Sequence, residues 1–138
     1  MIPVTTQGQA VNLFDSSNAL YNTRIRGTGE IDQGTTTNGI LTTNIIDITN
    51  ISTLTVSGIT EVFSSGYSYY AYIWTYSDAS ATTKVGSKGF SSSPNYVFDT
   101  ATLKSQYPTG VYARLVLVLK DNVSISTADT ENLVIIGS

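Results

Sequence analysis

One stretch of the chain, 67–76, concentrates aromatic side chains at a spacing that could bind a ligand. Its even positions are all aromatic: Tyr70, Tyr72, Trp74 and Tyr76. Because successive side chains of a β-strand point to opposite faces of a sheet, a strand here would place these rings in one row. Flat rings of this kind stack on the apolar faces of sugar rings, whose C–H bonds meet the electron-rich ring face. The row therefore predicts a saccharide-binding surface, with core packing of the same rings as the alternative.

Arg114 is the second candidate, because it lies inside the otherwise apolar run 111–120. A planar guanidinium on a sheet face can hydrogen-bond sugar hydroxyls or a glycan carboxylate. The alternative is a structural salt bridge to Asp78 or Asp47. Should the even positions of 67–76 face the core, the odd positions Tyr67 and Tyr69 would take over the ligand role. The candidate ligand-binding residues are Trp74, Tyr70, Tyr72, Arg114 and Tyr69.

The composition argues against catalysis. The chain contains no histidine and no cysteine, so it lacks the usual general base, the usual zinc ligands and any disulfide. Its acidic residues are dispersed, and most lie beside turn residues, where Asp commonly caps or bends the chain. We therefore expect a protein that is not an enzyme, with no catalytic residues and no metal or other cofactor. A structural Ca²⁺ between loop carboxylates and carbonyls is the alternative left open, although the spacing of a calcium loop is missing.

The charge pattern limits the partners. Charged residues make up 12% of the 138 residues, the net charge is −3, and the seven basic residues are spread along the chain. Phosphate binding needs clustered Lys and Arg, so we expect no nucleic-acid partner. No apolar run reaches the length of a membrane span, and the first residues lack a signal-peptide pattern. We expect no membrane insertion.

The elements that would position these residues are strands, because the hydrophobic pattern has period 2 and Gly, Asn, Ser and Asp clusters interrupt it. The predicted strands are 9–14, 20–26, 40–48, 52–57, 67–76, 82–86, 95–98, 111–120 and 131–136. One short helix is predicted over 99–106, capped by Asp99 and ended by Tyr107-Pro108. The fold class is all-β, a two-sheet antiparallel β-sandwich that is jelly-roll-like.

The stretch 111–120 is predicted to be a central strand of this sandwich. Its odd positions form a wholly apolar face that should lie in the core, while its even positions, Arg114 among them, form a mixed face. Residues 1–8 are expected to be a flexible lead-in, and 9–138 a single β-sandwich domain of the carbohydrate-binding kind.

Several short motifs follow one another along the chain in an order that is recognisable. They include Asn12-Leu13-Phe14-Asp15-Ser16-Ser17 near the start, Tyr112-Ala113-Arg114-Leu115 late in the chain, and Asn132-Leu133-Val134-Ile135-Ile136-Gly137 at the close. In this order, and together with intervening motifs at 27–30, 44–48, 54–58, 67–70 and 74–78, they resemble a carbohydrate-binding jelly-roll module of bacteriophage tail and baseplate proteins, such as distal tail or receptor-binding accessory proteins.

The resemblance implies a virion protein of the phage tail that works outside the cell. It would bind a host cell-surface saccharide and contact other tail proteins. The alternative is a structural virion module that uses the same aromatics for protein–protein attachment, since Tyr, Trp and Arg are also enriched at protein interfaces.

Overall fold

The computed structural model of the chain describes residues 11–26, 28, 30–33, 39–59, 71–90, 96–120 and 123–138. The described elements are short strands, one helix and one 3₁₀ turn, Thr127–Thr130. They are β1 (Leu20–Tyr21), β2 (Thr23–Ile25), β3 (Ile31–Gln33), β4 (Ile40–Thr42), β5 (Ile46–Asp47), β6 (Thr53–Ser57), β7 (Ala71–Tyr76), β8 (Lys84–Phe90), β9 (Val97–Asp99), α1 (Thr100–Gln106), β10 (Tyr112–Val118) and β11 (Val134–Gly137).

The strands form two antiparallel sheets and a hairpin. The large sheet has the order β1-β4-β10-β7-β8, with β5 also paired to β10, and the small sheet has the order β11-β6-β9. From β4 onward the chain alternates between the sheets, so that β6, β9 and β11 lie in the small sheet and the strands between them in the large one. This crossing pattern is that of a jelly roll. The predicted jelly-roll-like sandwich is confirmed.

The core lies between the two sheets and is built by the alternation of β10. Ala113, Leu115 and Leu117 are completely buried. β10 pairs with β4 and β5 along one edge and with β7 along the other. The predicted central strand and its core face are therefore confirmed. On the opposite face Val116 and Val118 are also buried, so the large sheet is covered on both sides at this end.

The predicted strand 40–48 is interrupted. Leu41 pairs with Leu117 and Ile46 with Ala113, so the stretch from 41 to 46 contains one residue more than its partner stretch on β10. An extra residue reverses the alternation of side chains, and Leu41 and Ile46 therefore share the core face although one number is odd and the other even. Thr43 bridges the gap, since its Oγ1 accepts a hydrogen bond from the Leu115 amide at 2.9 Å. The prediction of one continuous strand was wrong.

The predicted strand 20–26 is also divided, at Asn22, whose φ is +53°. The Asn22 side chain holds this bend by donating to the Ile125 carbonyl and accepting from the Ile125 amide. β1 stays paired with β4, whereas β2 turns away to pair with β3. The Thr42 hydroxyl donates to the Thr23 carbonyl at 2.8 Å, which ties β2 to the face of the large sheet that points away from the core.

Of the other predicted elements, one is confirmed and one was partly wrong. The helix is confirmed: Asp99 caps α1 by accepting from the Thr102 amide, and the helix ends before Tyr107. The prediction of a strand over 9–14 was wrong at 11–14, which are not extended into a strand, although the Leu13 amide donates to the Ile135 carbonyl of β11. Residues 1–10 and 67–70 lie outside the described residues. Within the described ranges, no helix has the length and hydropathy to cross a membrane.

Replacing Leu117 by Ala tests the core assignment. Leu117 is completely buried, so the change should lower the free energy of unfolding by about 2–5 kcal/mol through lost burial and a cavity. Urea denaturation followed by circular dichroism measures it. Val97→Ala is the control, since this side chain is 58% exposed and should change stability by less than about 0.5 kcal/mol. A loss below about 1 kcal/mol in Leu117→Ala would contradict the face assignment.

Candidate functional site

The register of β7 and β10 brings three of the predicted site residues onto one face. Trp74 lies opposite Arg114, and Tyr72 lies opposite Val116. Because the odd positions of β10 face the core, these even positions point to the other side of the large sheet, which we call the outer face. The sequence therefore correctly placed Trp74, Tyr72 and Arg114 together.

The predicted exposure of Trp74 was wrong. Only 5% of its surface is accessible, and the ammonium of Lys84 lies over the ring at 5.2 Å from its centroid. Lys84 is paired with Tyr76 on the neighbouring strand β8, so its long apolar stem and its charge can cover the indole. A ring face occupied by a cation is not available to stack on a sugar.

The other two described aromatics of the row differ in how deeply they are buried. Tyr76 is 1% exposed and belongs to the core cluster, whereas Tyr72 is half-buried and packs against that cluster. Trp74 and Tyr76 are therefore buried, as the packing alternative predicted, but on the outer face and not between the two sheets. Tyr69 and Tyr70, with Tyr67, lie outside the described residues, and their role in binding stays a prediction.

Burial leaves two polar atoms of this row without partners. Neither the Trp74 indole nitrogen nor the Tyr76 hydroxyl has a hydrogen-bond partner among the described residues. Burial raises the pKa of the Tyr76 hydroxyl and so further favours its neutral form, which can donate a hydrogen bond. An unsatisfied buried donor costs about 1–3 kcal/mol, and such atoms in native proteins call for an explanation, such as a water or a ligand.

Arg114 lies at the interruption of the ladder and is half-buried. Its Nη1 donates to the Thr43 carbonyl at 2.9 Å, and burial lowers the pKa of the guanidinium from its usual value. No carboxylate in the described ranges forms an ion pair with it. The alternative of a salt bridge to Asp78 or Asp47 was wrong, because those carboxylates accept hydrogen bonds within their own turns, from Thr82 and Thr83 and from Thr49.

Beside Arg114 the surface forms a polar depression with a volume of about 330 Å³. It is lined by Asp15, Asn18, Asn44, Ile45 and Arg114, and we call it the Arg114 depression. Its wall is fixed to the sheet, since Asn44 accepts from the Asp15 amide at 2.8 Å and donates to the Leu13 carbonyl at 3.0 Å. Three separate segments of the chain thus meet at one place.

Sequence reasoning missed the residues from two of those segments. Asp15 was interpreted as a turn residue, and Asn18 and Asn44 were not singled out. The signal available was weak: a polar run follows Phe14, and Thr42-Thr43-Asn44 interrupts an apolar stretch. Neither pattern states that the two segments are neighbours in space.

The carboxylates that the structure describes in detail hold turns. Asp15 accepts from the Ser17 amide and hydroxyl and from the Asn18 side chain, and these hydrogen bonds lower the pKa of its carboxyl. The pKa values of Asp47, Asp78 and Asp99 are lowered in the same way by hydrogen bonds from nearby Thr residues. In the described ranges, no three acidic side chains come together in a group that could hold a metal ion.

Two other depressions lined by described residues are less suited to binding a sugar. One of about 200 Å³ lies at the end of the sandwich and contains Asn132 and Asp129, whose carboxylate is paired with Lys120 at 2.6 Å. Another, of about 50 Å³, lies between β8 and α1. In the first, a cation is already neutralised by a carboxylate, and the second is too small for a sugar residue. The Arg114 depression is the candidate binding site.

Comparison with known proteins adds no assignment. The chain matches no protein-family model, no curated protein and no solved structure.

Replacing Trp74 by Ala tests the corrected position of this ring. A buried indole should cost about 3–5 kcal/mol of unfolding free energy when it is removed. Tyr112→Ala is the comparison, because Tyr112 is on the same face but half-buried, and it should cost less. Thermal and urea denaturation of both variants measure the difference. Wild-type stability in Trp74→Ala would show that the ring is not part of the core.

Replacing Asp78 by Asn tests the role of the turn carboxylates. Hydrogen bonds from Thr82 and Thr83 lower the pKa of Asp78 below 3.8, so its ionised form stabilises the folded state above that pH. This contribution is lost as the pH falls through the lowered pKa of the folded state. Urea denaturation should find Asp78→Asn less stable than wild type at pH 7, and the difference should shrink towards about pH 2. An equal difference at both pH values would contradict this role.

Proposed function

We propose that this protein is a non-catalytic carbohydrate-binding module that attaches to polysaccharide on a host cell surface, with the sugar held in the Arg114 depression. The observation that carries the proposal is the convergence of a guanidinium, a side-chain amide and a carboxylate on one depression of about 330 Å³. Ligand pockets in proteins measure roughly 300–1,000 Å³, so this depression suits a short portion of a polysaccharide.

The chemistry of the depression fits sugar hydroxyls, which donate and accept hydrogen bonds. Arg114 offers N–H donors, and Asn18 offers both a carbonyl oxygen and an amide. Asp15 supplies a carboxylate, and hydrogen bonds from Ser17 and Asn18 lower its pKa and so favour its ionised form. Buried rings cannot stack on the ligand, so binding here rests on hydrogen bonds more than on the aromatic row.

The site is also rigid before the ligand arrives. Arg114 lies in the middle of β10, which is paired on both edges. Asn18 donates to the Asp15 carboxylate at 2.6 Å, and the Asp15 amide donates to Asn44. Groups already held in place lose little conformational entropy on binding, which favours affinity.

The motif order supports a place on a phage tail or baseplate. Asp15 belongs to the opening motif of the resemblance and Arg114 to the motif at 112–115. Both residues line the Arg114 depression. We therefore propose that the module works on the virion, outside the cell, and attaches the tail to a host saccharide.

A second candidate function, attachment to another virion protein, is favoured by one observation. Val97 is 58% exposed on β9, and it pairs with Thr55, which in turn pairs with Ile136 of β11. This row forms an uncharged strip on the outward side of the small sheet. Such a strip suits contact with a protein better than contact with a sugar.

Replacing Asn18 by Ala tests the proposed function. Loss of its hydrogen bonds should weaken binding of the labelled protein to purified host-wall polysaccharide by about 3- to 10-fold, at about 0.5–1.5 kcal/mol for a hydrogen bond. Fluorescence anisotropy measures affinity, and whole-cell binding with the polysaccharide as competitor tests the target. Asn132→Ala, an exposed Asn in the depression at the end of the sandwich, is the matched control and should bind like wild type.

Equal affinity of the wild type and Asn18→Ala would remove the Arg114 depression from the site. Binding to cells that the polysaccharide does not compete with, together with loss of binding in Val97→Asp, would favour the protein-attachment function instead.

A further inference from the structure

Arg114 is a cation whose charge the described part of the chain does not balance. It is half-buried, and among the described residues it makes one hydrogen bond, from Nη1 to the Thr43 carbonyl at 2.9 Å. Holding a guanidinium away from water is costly unless its N–H groups and its charge are satisfied. Its remaining N–H groups have no hydrogen-bond partner among the described residues.

Asp15, the carboxylate in the same depression, does not fill that role. Its Oδ1 accepts from the Ser17 amide and hydroxyl at 3.0 and 2.7 Å, and its Oδ2 accepts from Asn18 at 2.6 Å. Both oxygens are held within the turn that begins at Asp15. Asp15 forms no ion pair with Arg114, and no other carboxylate of the described residues does, so the guanidinium can pair with an anionic group of a ligand.

The neighbours of Arg114 on the outer face add donors. Trp74 is directly opposite on β7, and its indole nitrogen is buried with no partner among the described residues. The Tyr76 hydroxyl is likewise buried without such a partner, and it interacts electrostatically with Arg114. Lys84 adds a second positive charge over the Trp74 ring. None of these three side chains lines the Arg114 depression, so Arg114 is the cation that a ligand there would contact.

We propose that the ligand is an acidic saccharide, and that its carboxylate or phosphate group is bound by the guanidinium of Arg114. The inference rests on the proposed function and narrows it to one class of polysaccharide. A planar guanidinium matches two oxygens of a carboxylate or phosphate at once, which a neutral hydroxyl cannot equal. The rest of the sugar then contacts Asn18 and the turn at Asp15.

The test compares native wall polysaccharide with two chemically altered forms. In one, carboxyl groups are reduced to alcohols, and in the other, phosphate groups are removed, so that each treatment deletes one kind of acid. Titration calorimetry with the wild type should show affinity at least about 10-fold lower for one of the two, since a charge-assisted hydrogen bond contributes about 1.5–3 kcal/mol. The treatment that weakens binding identifies the acid.

Variants then assign the effect to Arg114. Arg114→Gln should bind the native and altered polysaccharides with the same low affinity, because the guanidinium that binds the acidic group has been removed. Arg24→Gln, which removes an exposed cation of β2, should keep the wild-type preference. Arg114→Lys keeps a positive charge at this position but lacks the planar fork that matches two oxygens of an acid at once. Its preference for the acidic form should fall, which covers the case that Arg114→Gln does not fold.

The outcomes separate this inference from the proposed function. Wild-type affinity that neither treatment lowers would overturn the acidic ligand and leave carbohydrate binding intact. So would an acid preference that persists in Arg114→Gln or, where that variant does not fold, an undiminished preference in Arg114→Lys. Absence of binding to the native polysaccharide of the host would overturn both.

Discussion

The hydrogen-bond ladder on one edge of β10 is interrupted, and the outer face of the large sheet is organised around that interruption. One extra residue between Leu41 and Ile46 lets both side chains enter the core despite their different parity. The Thr43 hydroxyl replaces a lost ladder contact by accepting from the Leu115 amide, and the Thr43 carbonyl is left to accept from Arg114. A single inserted residue thus keeps apolar side chains of both strand segments in the core, and it places the carbonyl that holds Arg114.

Burial decides what the rest of the outer face can do. At one end Thr42 ties down β2, and the apolar side chains Ile40, Val116 and Val118 are covered. At the other end the rings of Trp74 and Tyr76 are almost inaccessible. Between these ends the Arg114 depression presents polar groups to solvent. Because the Asp15 carboxylate is held by hydrogen bonds within its own turn and forms no ion pair with Arg114, the depression offers a ligand both a cation and hydrogen-bonding groups.

The sequence predicts features that depend on neighbours along the chain. The period-2 pattern of β10 identifies its core face, and Asp99 ahead of Thr102 identifies the helix start, because each needs only local geometry. The interruption near Asn44 is not predictable in this way, since the residues around it are apolar on both parities. The burial of Trp74 depends on Lys84 from another strand, and the Arg114 depression is assembled from residues far apart in sequence. Those features are set by tertiary packing, which no local pattern contains.

The most direct test of this account is to observe which side chains respond when a saccharide binds. Two-dimensional ¹H–¹⁵N spectra of labelled protein, titrated with oligosaccharide released from the host wall, report on the Arg114 Nε–H and on Asn side-chain amides separately. We predict saturable shifts of the Arg114 Nε–H signal and of the Asn18 and Asn44 side-chain amide signals, with the Asn132 amide signal unmoved. Shifts confined to Asn132, or to the strip around Val97 and Thr55, would contradict the assignment of the binding site to the Arg114 depression.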